Sequence, residues 1–173
     1  MLPGPFCCLL IDAKVVGWRT ISFANGIAMG AGGQWLLFVE TGESSVRKLW
    51  ISGPRKGEVD DVLTKLPGFP DNLKRDSRGG FLLGLASKRT PAADLAAPYP
   101  SLRKIVQRVP VALRPKAISY EFVVHLDENG EVTQTWQDPA AGYPLTTGAI
   151  RDPDGALRVT SLSADWLGRL AEP

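Results

Sequence analysis

Apolar residues fall in short runs separated by clusters of Gly, Pro, Asn and Asp. Trp35-Leu36-Leu37-Phe38-Val39 follows the turn Ala31-Gly32-Gly33, and Phe81-Leu82-Leu83-Gly84-Leu85 follows Ser77-Arg78-Gly79-Gly80. Runs this short, bounded by breakers, read as strands rather than helices. The segment ahead of each run is itself repeated: Phe23-Ala24-Asn25-Gly26-Ile27 returns 46 positions later as Phe69-Pro70-Asp71-Asn72-Leu73. A looser third copy, Gly148-Ala149-Ile150-Arg151-Asp152-Pro153-Asp154-Gly155, leads into Leu157-Arg158-Val159. A period in the forties built from strand, Gly-rich turn and strand predicts the blades of a β-propeller.

The pattern predicts strands at 26–31, 35–40, 45–52 and 58–66 in one blade, and at 72–76, 81–87, 120–127 and 131–137 in the next. Asp127-Glu128-Asn129-Gly130 is a strong hairpin signal joining the last two. Val15-Val16-Gly17-Trp18 is a strand piece of an incomplete first blade, and residues 146–172 supply about three strands of a last one. The expected fold is all-β, a partial propeller of about three and a half blades in a single domain. Its parts are a partial blade at 1–22, blades at 23–67 and 68–140, and a partial blade at 141–173.

Residues 88–119 interrupt the second blade. Leu95, Leu102, Ile105, Val106, Val109 and Leu113 recur near helical spacing, while Pro98, Pro100, Pro110 and Pro115 keep any helix short. Short helices are expected within 92–113. Strand direction brings the insertion out at the end of the blade that carries Asn25 and Asp71, where it would serve as a lid or as packing over apolar surface.

Composition adds bounds. A chain of 173 residues with 44% hydrophobic and 22% charged residues is an ordinary globular chain, and a net charge of +2 gives no reason to expect nucleic acid. No run approaches the roughly 18 apolar residues of a membrane span, and the start lacks the basic flank of a signal peptide, so the compartment stays undefined. Cys7 and Cys8 are adjacent, poorly placed to bridge each other, and no Cys/His pattern suggests zinc. Six blades at ~46 residues each need about 280 residues. The expectation is a piece of a longer protein, or else a ring completed by association. The insertion is basic, with Lys88, Arg89, Arg103, Lys104, Arg108, Arg114 and Lys116 against Asp94 alone. Contact with anionic substrates or a membrane surface is one reading; a solvated helix face is the other.

Inner strands of a propeller converge on its axis, so Asn25, Asp71 and Asn72 are expected at one central mouth. Amide and carboxylate oxygens suit Ca²⁺ and not zinc. The same residues are also common in turns, where Asx side chains satisfy local backbone groups. Glu40, at a strand end near the mouth, is either a hydrogen-bond acceptor supporting the site or a solvated charge. His125, the sole histidine, reads as an ordinary strand residue.

Phe23-Ala24-Asn25-Gly26-Ile27, Val39-Glu40-Thr41, the stretch from Leu49 to Gly57 and above all Leu66-Pro67-Gly68-Phe69-Pro70-Asp71-Asn72-Leu73-Lys74-Arg75-Asp76-Ser77-Arg78-Gly79-Gly80-Phe81 resemble the strictosidine synthase-like proteins. These sit with the senescence marker protein/gluconolactonases and paraoxonases in a superfamily of six-bladed propellers, whose C-terminal half this chain resembles. The resemblance implies calcium ligation by Asn25 and Asp71, with Asn72 as a further ligand, and remaining ligands from blades outside this chain. It implies a small ester or lactone substrate, with Asp71 also a candidate catalytic base or nucleophile. The strictosidine synthase condensation depends on a Glu near the final blade, and Gly142-Tyr143-Pro144-Leu145-Thr146-Thr147-Gly148-Ala149-Ile150 has no acidic residue. The leading expectation is a calcium-dependent lactonase or esterase, or part of one. A non-catalytic remnant or binding module is the alternative, and a carbon–nitrogen lyase stands third.

Overall fold

A computed structural model describes residues 6–11, 14–90, 99, 108–109, 118–138 and 142–170, the first two strands by their backbone alone. Four antiparallel sheets follow one another along the chain. Strands β1 (Phe6–Ile11) and β2 (Lys14–Thr20) form a hairpin. The next sheet is β3 (Ala24–Met29), β4 (Trp35–Glu40), β5 (Ser45–Trp50) and β6 (Val59–Leu63), paired in chain order. A second four-stranded sheet holds β7 (Gly68–Arg75), β8 (Phe81–Lys88), β9 (Ser119–Leu126) and β10 (Val132–Gln137), again each beside the next. Last come β11 (Thr146–Arg151), β12 (Leu157–Ser161) and β13 (Gly168–Leu170). Consecutive meanders of this kind, stacked face to face, are the blades of a partial propeller.

The stacking is written in alternate residues. In β4, Leu37 and Val39 join Leu73, Phe81, Leu83, Leu85, Val124 and Leu126 in one core between the two four-stranded sheets. Leu36 and Phe38, on the opposite face of β4, pack with Ile51 in another. In β8 and β9 the intervening residues Leu82 and Val123 turn the other way, onto Ala149, Leu157 and Val159 of the last sheet. A strand buried on both faces needs an uninterrupted apolar run, which is why 35–39 and 81–85 carry one. By contrast β3 and β10, at the two edges, are largely exposed.

The first strands of successive sheets come very close. A Cβ on Gly26 would stand 2.2 Å from the Leu73 nitrogen and 2.7 Å from the Asp71 carbonyl oxygen, so β3 meets β7 backbone to backbone. Between β7 and β11 the Cβ position of Gly148 is 2.9 Å from Asn72 Cβ, and Gly84 of the second strand β8 also lies against β11, its Cβ position 2.4 Å from the Thr147 carbonyl oxygen.

Differences from the sequence reading are local. Strand β7 begins at Gly68, ahead of Asn72, because Phe69 and Pro70 pair with Ser87 and Leu85 despite a slipped register. Gly130 closes the turn after β9 by donating to Asp127 O at 3.1 Å, as the hairpin signal indicates. The segment 92–113 lies outside the described residues apart from Tyr99, Arg108 and Val109. Its roots are described: Lys88 N donates to Ile118 O at 3.0 Å, and Arg89 N to Pro67 O at 3.1 Å, beside the start of β7. The insertion therefore leaves and rejoins the sheet at the end that carries Asp71.

Leu83 is fully buried between two sheets. Leu83→Ala is expected to cost about 2–5 kcal/mol by loss of apolar contact and the cavity left behind. A urea titration followed by tryptophan fluorescence measures it.

Candidate site at the convergence of the first strands

The mouth is built by slips in strand register. Pairing runs from Ala24↔Glu40 to Ile27↔Phe38, so Asn25 and Gly26 together oppose Val39 alone. It runs from Pro70↔Leu85 to Leu73↔Leu83, so Asp71 and Asn72 together oppose Gly84. In β11 the slip falls between Thr146↔Ser161 and Gly148↔Thr160, at Thr147. Asn25, Asp71 and Thr147 thus occupy equivalent positions on three neighbouring strands. A bulge of this kind leaves a residue outside the ladder and re-aims its side chain.

Two of the three meet. Asn25 Nδ2 donates a hydrogen bond to Asp71 Oδ1. Asn25 is exposed and Asp71 half-buried. Burial pushes the Asp71 carboxyl above the usual aspartate range, and the Asn25 hydrogen bond only partly offsets it. Asn72 turns toward the last sheet, where its Cβ stands 2.9 Å from the position a Cβ on Gly148 would take. Thr147 is buried, and its hydroxyl lies 2.8 Å from that of Thr160.

Surrounding polar groups hold this arrangement. Thr41 Oγ1 donates to Pro70 O at 2.6 Å, tying the turn after β4 to the residue before Asp71. Thr41 N and Gly42 N donate to Phe23 O at 3.0 Å and Ser22 O at 2.9 Å, fixing the approach to Asn25. Glu40 is 2% exposed, pairs with Arg47, and accepts from Ser22 N at 3.1 Å. It is a buried acceptor and not a solvated charge. The sequence reading missed Thr41 and Thr147; aligning 145–148 with 23–26 and 69–72 is the signal that finds Thr147.

At the far end of β7 the chemistry is different. Asp76 is buried and accepts Arg151 Nε at 2.9 Å and 3.0 Å, with Arg151 Nη2 at 2.9 Å. Burial is the largest influence and acts to raise the Asp76 carboxyl, but the Arg151 hydrogen bonds, the Arg78 backbone N–H and the Arg151 charge together hold the group below the ordinary aspartate value. His125 Nε2 lies 2.9 Å from Gly79 O and 3.5 Å from Asp76 Oδ2, while Nδ1 faces Thr133 Oγ1. Through these contacts His125 fastens the turn at 76–80.

Among the described residues no group of three or more His, Cys, Asp and Glu side chains could hold a metal ion, and no helix is long and apolar enough to cross a membrane. A site at the mouth would therefore rest on one carboxylate and amide oxygens.

Fold and mouth together define a partial β-propeller with its polar residues gathered where the first strands converge. Within that class the chain sorts with the strictosidine synthase-like proteins, which it matches over most of its length. It is 32% identical to strictosidine synthase-like protein 10 of Arabidopsis thaliana over 154 residues, 86% of this chain and 41% of that protein. It is 28% identical to the adipocyte plasma membrane-associated protein of Salmo salar over 161 residues, 88% of this chain and 38% of the relative. A solved calcium-binding protein, regucalcin of Agrobacterium tumefaciens, superposes with a TM-score of 0.53 at 16% identity, covering 90% of this chain and 45% of its own. No family model matches the sequence. The chain spans about two-fifths of the length of the curated relatives it matches.

The two aspartates of this strand and turn should respond oppositely to substitution. Asp76→Asn removes the buried carboxylate charge that faces Arg151 and is expected to cost about 3–5 kcal/mol. The stability Asp76 contributes is present above the ordinary aspartate value and is lost as pH falls through its depressed one. The raised Asp71 carboxyl works the other way, favouring the fold in acid and opposing it as pH rises through its shifted value. Asp71→Asn should therefore leave neutral-pH stability unchanged or slightly higher. Urea titrations of both variants at pH 4 and pH 7 measure the two signs.

Proposed function

We propose that the chain forms part of the axial site of a calcium-dependent hydrolase acting on small lactones or esters. The observation that carries the proposal is the contact of Asn25 and Asp71 across two strands, at equivalent bulges, with no cationic side chain among the described residues acting on Asp71. The donor set fits a hard cation. Asp71 offers a half-buried carboxylate, and rotation of the Asn25 amide about its last torsion exchanges nitrogen for oxygen toward the same point. Asn72 offers a further amide oxygen from the adjoining position. The solved calcium-binding regucalcin shares the fold, which supports the reading by analogy.

Calcium, when bound, would polarise a carbonyl oxygen and stabilise the charge that develops there. Everything else falls to this chain's residues. Asn25 orients Asp71 through the hydrogen bond between them. Asp71 holds the cation in this reading; its alternative role is that of a general base taking a proton from a water, where its carboxylate does not itself ligate the metal. The ties from Thr41 and Glu40 keep the two bulges in place while this happens.

A binding module without catalysis is the second reading. It is favoured by Thr147, whose hydroxyl is engaged by Thr160 where a further ligand would complete the row. Association that completes the ring is part of the proposal: Ile27 and Met29 of β3 are 52% and 48% exposed, and Phe23 beside them 66%.

Calorimetric titration with CaCl₂ is expected to give a dissociation constant of about 10⁻⁴–10⁻³ M, since two or three protein ligands leave most of the coordination sphere to water. Asp71→Asn should abolish the binding. Hydrolysis of phenyl acetate and a δ-lactone should require calcium and fall at least 100-fold in the same variant. Calcium binding with no hydrolysis would favour the binding module. Binding unchanged in Asp71→Asn would place the ligands elsewhere and overturn the reading.

A further inference from the structure

Away from the mouth, the faces of the second four-stranded sheet and the last sheet part toward their outer strands. They leave a cleft of about 480 Å³. Such a volume lies within the ~300–1,000 Å³ of small-molecule sites. Val123 and Val159 line it, continuous with the core between these sheets. Trp136 of β10, Tyr143 and Trp166 supply aromatic walls.

One lining residue is out of keeping with an apolar crevice. Glu121 of β9 is 6% exposed, and neither carboxylate oxygen makes a hydrogen bond of ordinary geometry. The Tyr143 backbone N–H and the Asp138 side chain are its hydrogen-bonding neighbours, and the Asp138 charge also repels it. Burial, and secondarily Asp138, hold Glu121 protonated to higher pH than an ordinary glutamate. A buried carboxyl whose side-chain neighbour is a second carboxyl is short of positive charge, which an incoming cation would supply. The cleft's own cation does not complete it: Arg169 donates to Asp154 at 2.8 Å. Asp138 is turned partly to the Gly142 N–H at 3.1 Å.

The aromatic groups are fixed for contact. The Tyr143 hydroxyl reaches Val159 O at 2.7 Å and Trp166 O at 3.0 Å, and its ring meets Trp166 edge-on with centroids 4.7 Å apart. Trp166 remains 55% exposed, so a ring face stays open to an incoming group. A buried carboxylate beside rigid aromatic faces recognises a positive charge carried on an apolar body, through ion pairing and cation–π attraction together.

We propose that this cleft is a second binding site, off the propeller axis, for a small organic ammonium ion, seated on Glu121 between Tyr143 and Trp166. The site shares no residue with the mouth and holds whether or not the mouth binds calcium. Entry of the cation displaces the proton from Glu121, so binding tightens from acid toward neutral pH; Asp138 favours the cation and Arg169 opposes it.

Benzylamine, with neutral benzyl alcohol as its isostere, tests this through the indole N–H resonances of Trp136 and Trp166. Benzylamine should bind at least tenfold more tightly at pH 7. Glu121→Gln should erase the difference while the fold, read by circular dichroism and the melting temperature, is kept or stabilised. Trp166→Ala, at an exposed position, should weaken benzylamine severalfold without affecting the fold. Asp71→Asn should leave it unchanged. Equal affinity for amine and alcohol, an undiminished preference in Glu121→Gln, or loss of binding in Asp71→Asn would each overturn the proposal.

Discussion

Strands β4 and β8 are covered on both faces, and the rest of the molecule follows from that. Leu37 and Val39 look one way and Leu36 and Phe38 the other; Phe81, Leu83 and Leu85 look one way and Leu82 the other. Burial of a large aliphatic side chain is worth about 1.5–3 kcal/mol, so a sheet with two such faces is stable only when stacked on both sides. Stacked sheets that share a twist fan outward from their first strands. Those strands must then nearly touch: a side chain at Gly26 would collide with the β7 backbone, and one at Gly148 with Asn72. Hydrophobic stacking at mid-sheet therefore sets the spacing at the axis.

That spacing makes the register slips useful. Regular alternation would send residues 25 and 71 to the faces of their own sheets, where apolar neighbours wait. Two residues opposing one at each place release the side chain from that alternation. Asn25 and Asp71 can then meet each other. The polar cost of the arrangement is contained by bonds that do not involve the mouth residues' own side chains: Thr41 to Pro70, Ser22 to Glu40, and Glu40 to Arg47.

Much of this was legible in the sequence because blades repeat their local signals. The apolar runs at 35–39 and 81–85, the Gly-rich turns before them and the Asp127–Gly130 hairpin each carry a short-range cause. The Asn25 and Asp71 pairing was legible as a coincidence of repeat position. The start of β7 was not, since Phe69-Pro70 lacks an N–H at Pro70 and reads as a breaker. Glu40 depended on Arg47 across the hairpin, a partner that no local pattern names. Glu121 was hidden by alternation itself. Tyr120, Phe122 and Val124 announce a buried face, which leaves Glu121 looking solvated, whereas its face is covered by the last sheet along with Val123.

Asp71 and Asp76, five positions apart, show how placement along one strand and its turn decides the role of a carboxylate. Both lose hydration, and in each case burial is the largest influence, acting upward. At Asp76 the fold answers with Arg151, which reaches from the last sheet, makes three short contacts and is itself 4% exposed in its side chain. That charge is settled, and it fastens two blades together. At Asp71, among the described residues, the fold answers with a neutral amide. A charged partner there would have closed the mouth; a neutral one leaves the carboxylate short of positive charge and facing the axis. The calcium proposed for this point would be held by what the strands withhold from Asp71 as much as by what they place beside it.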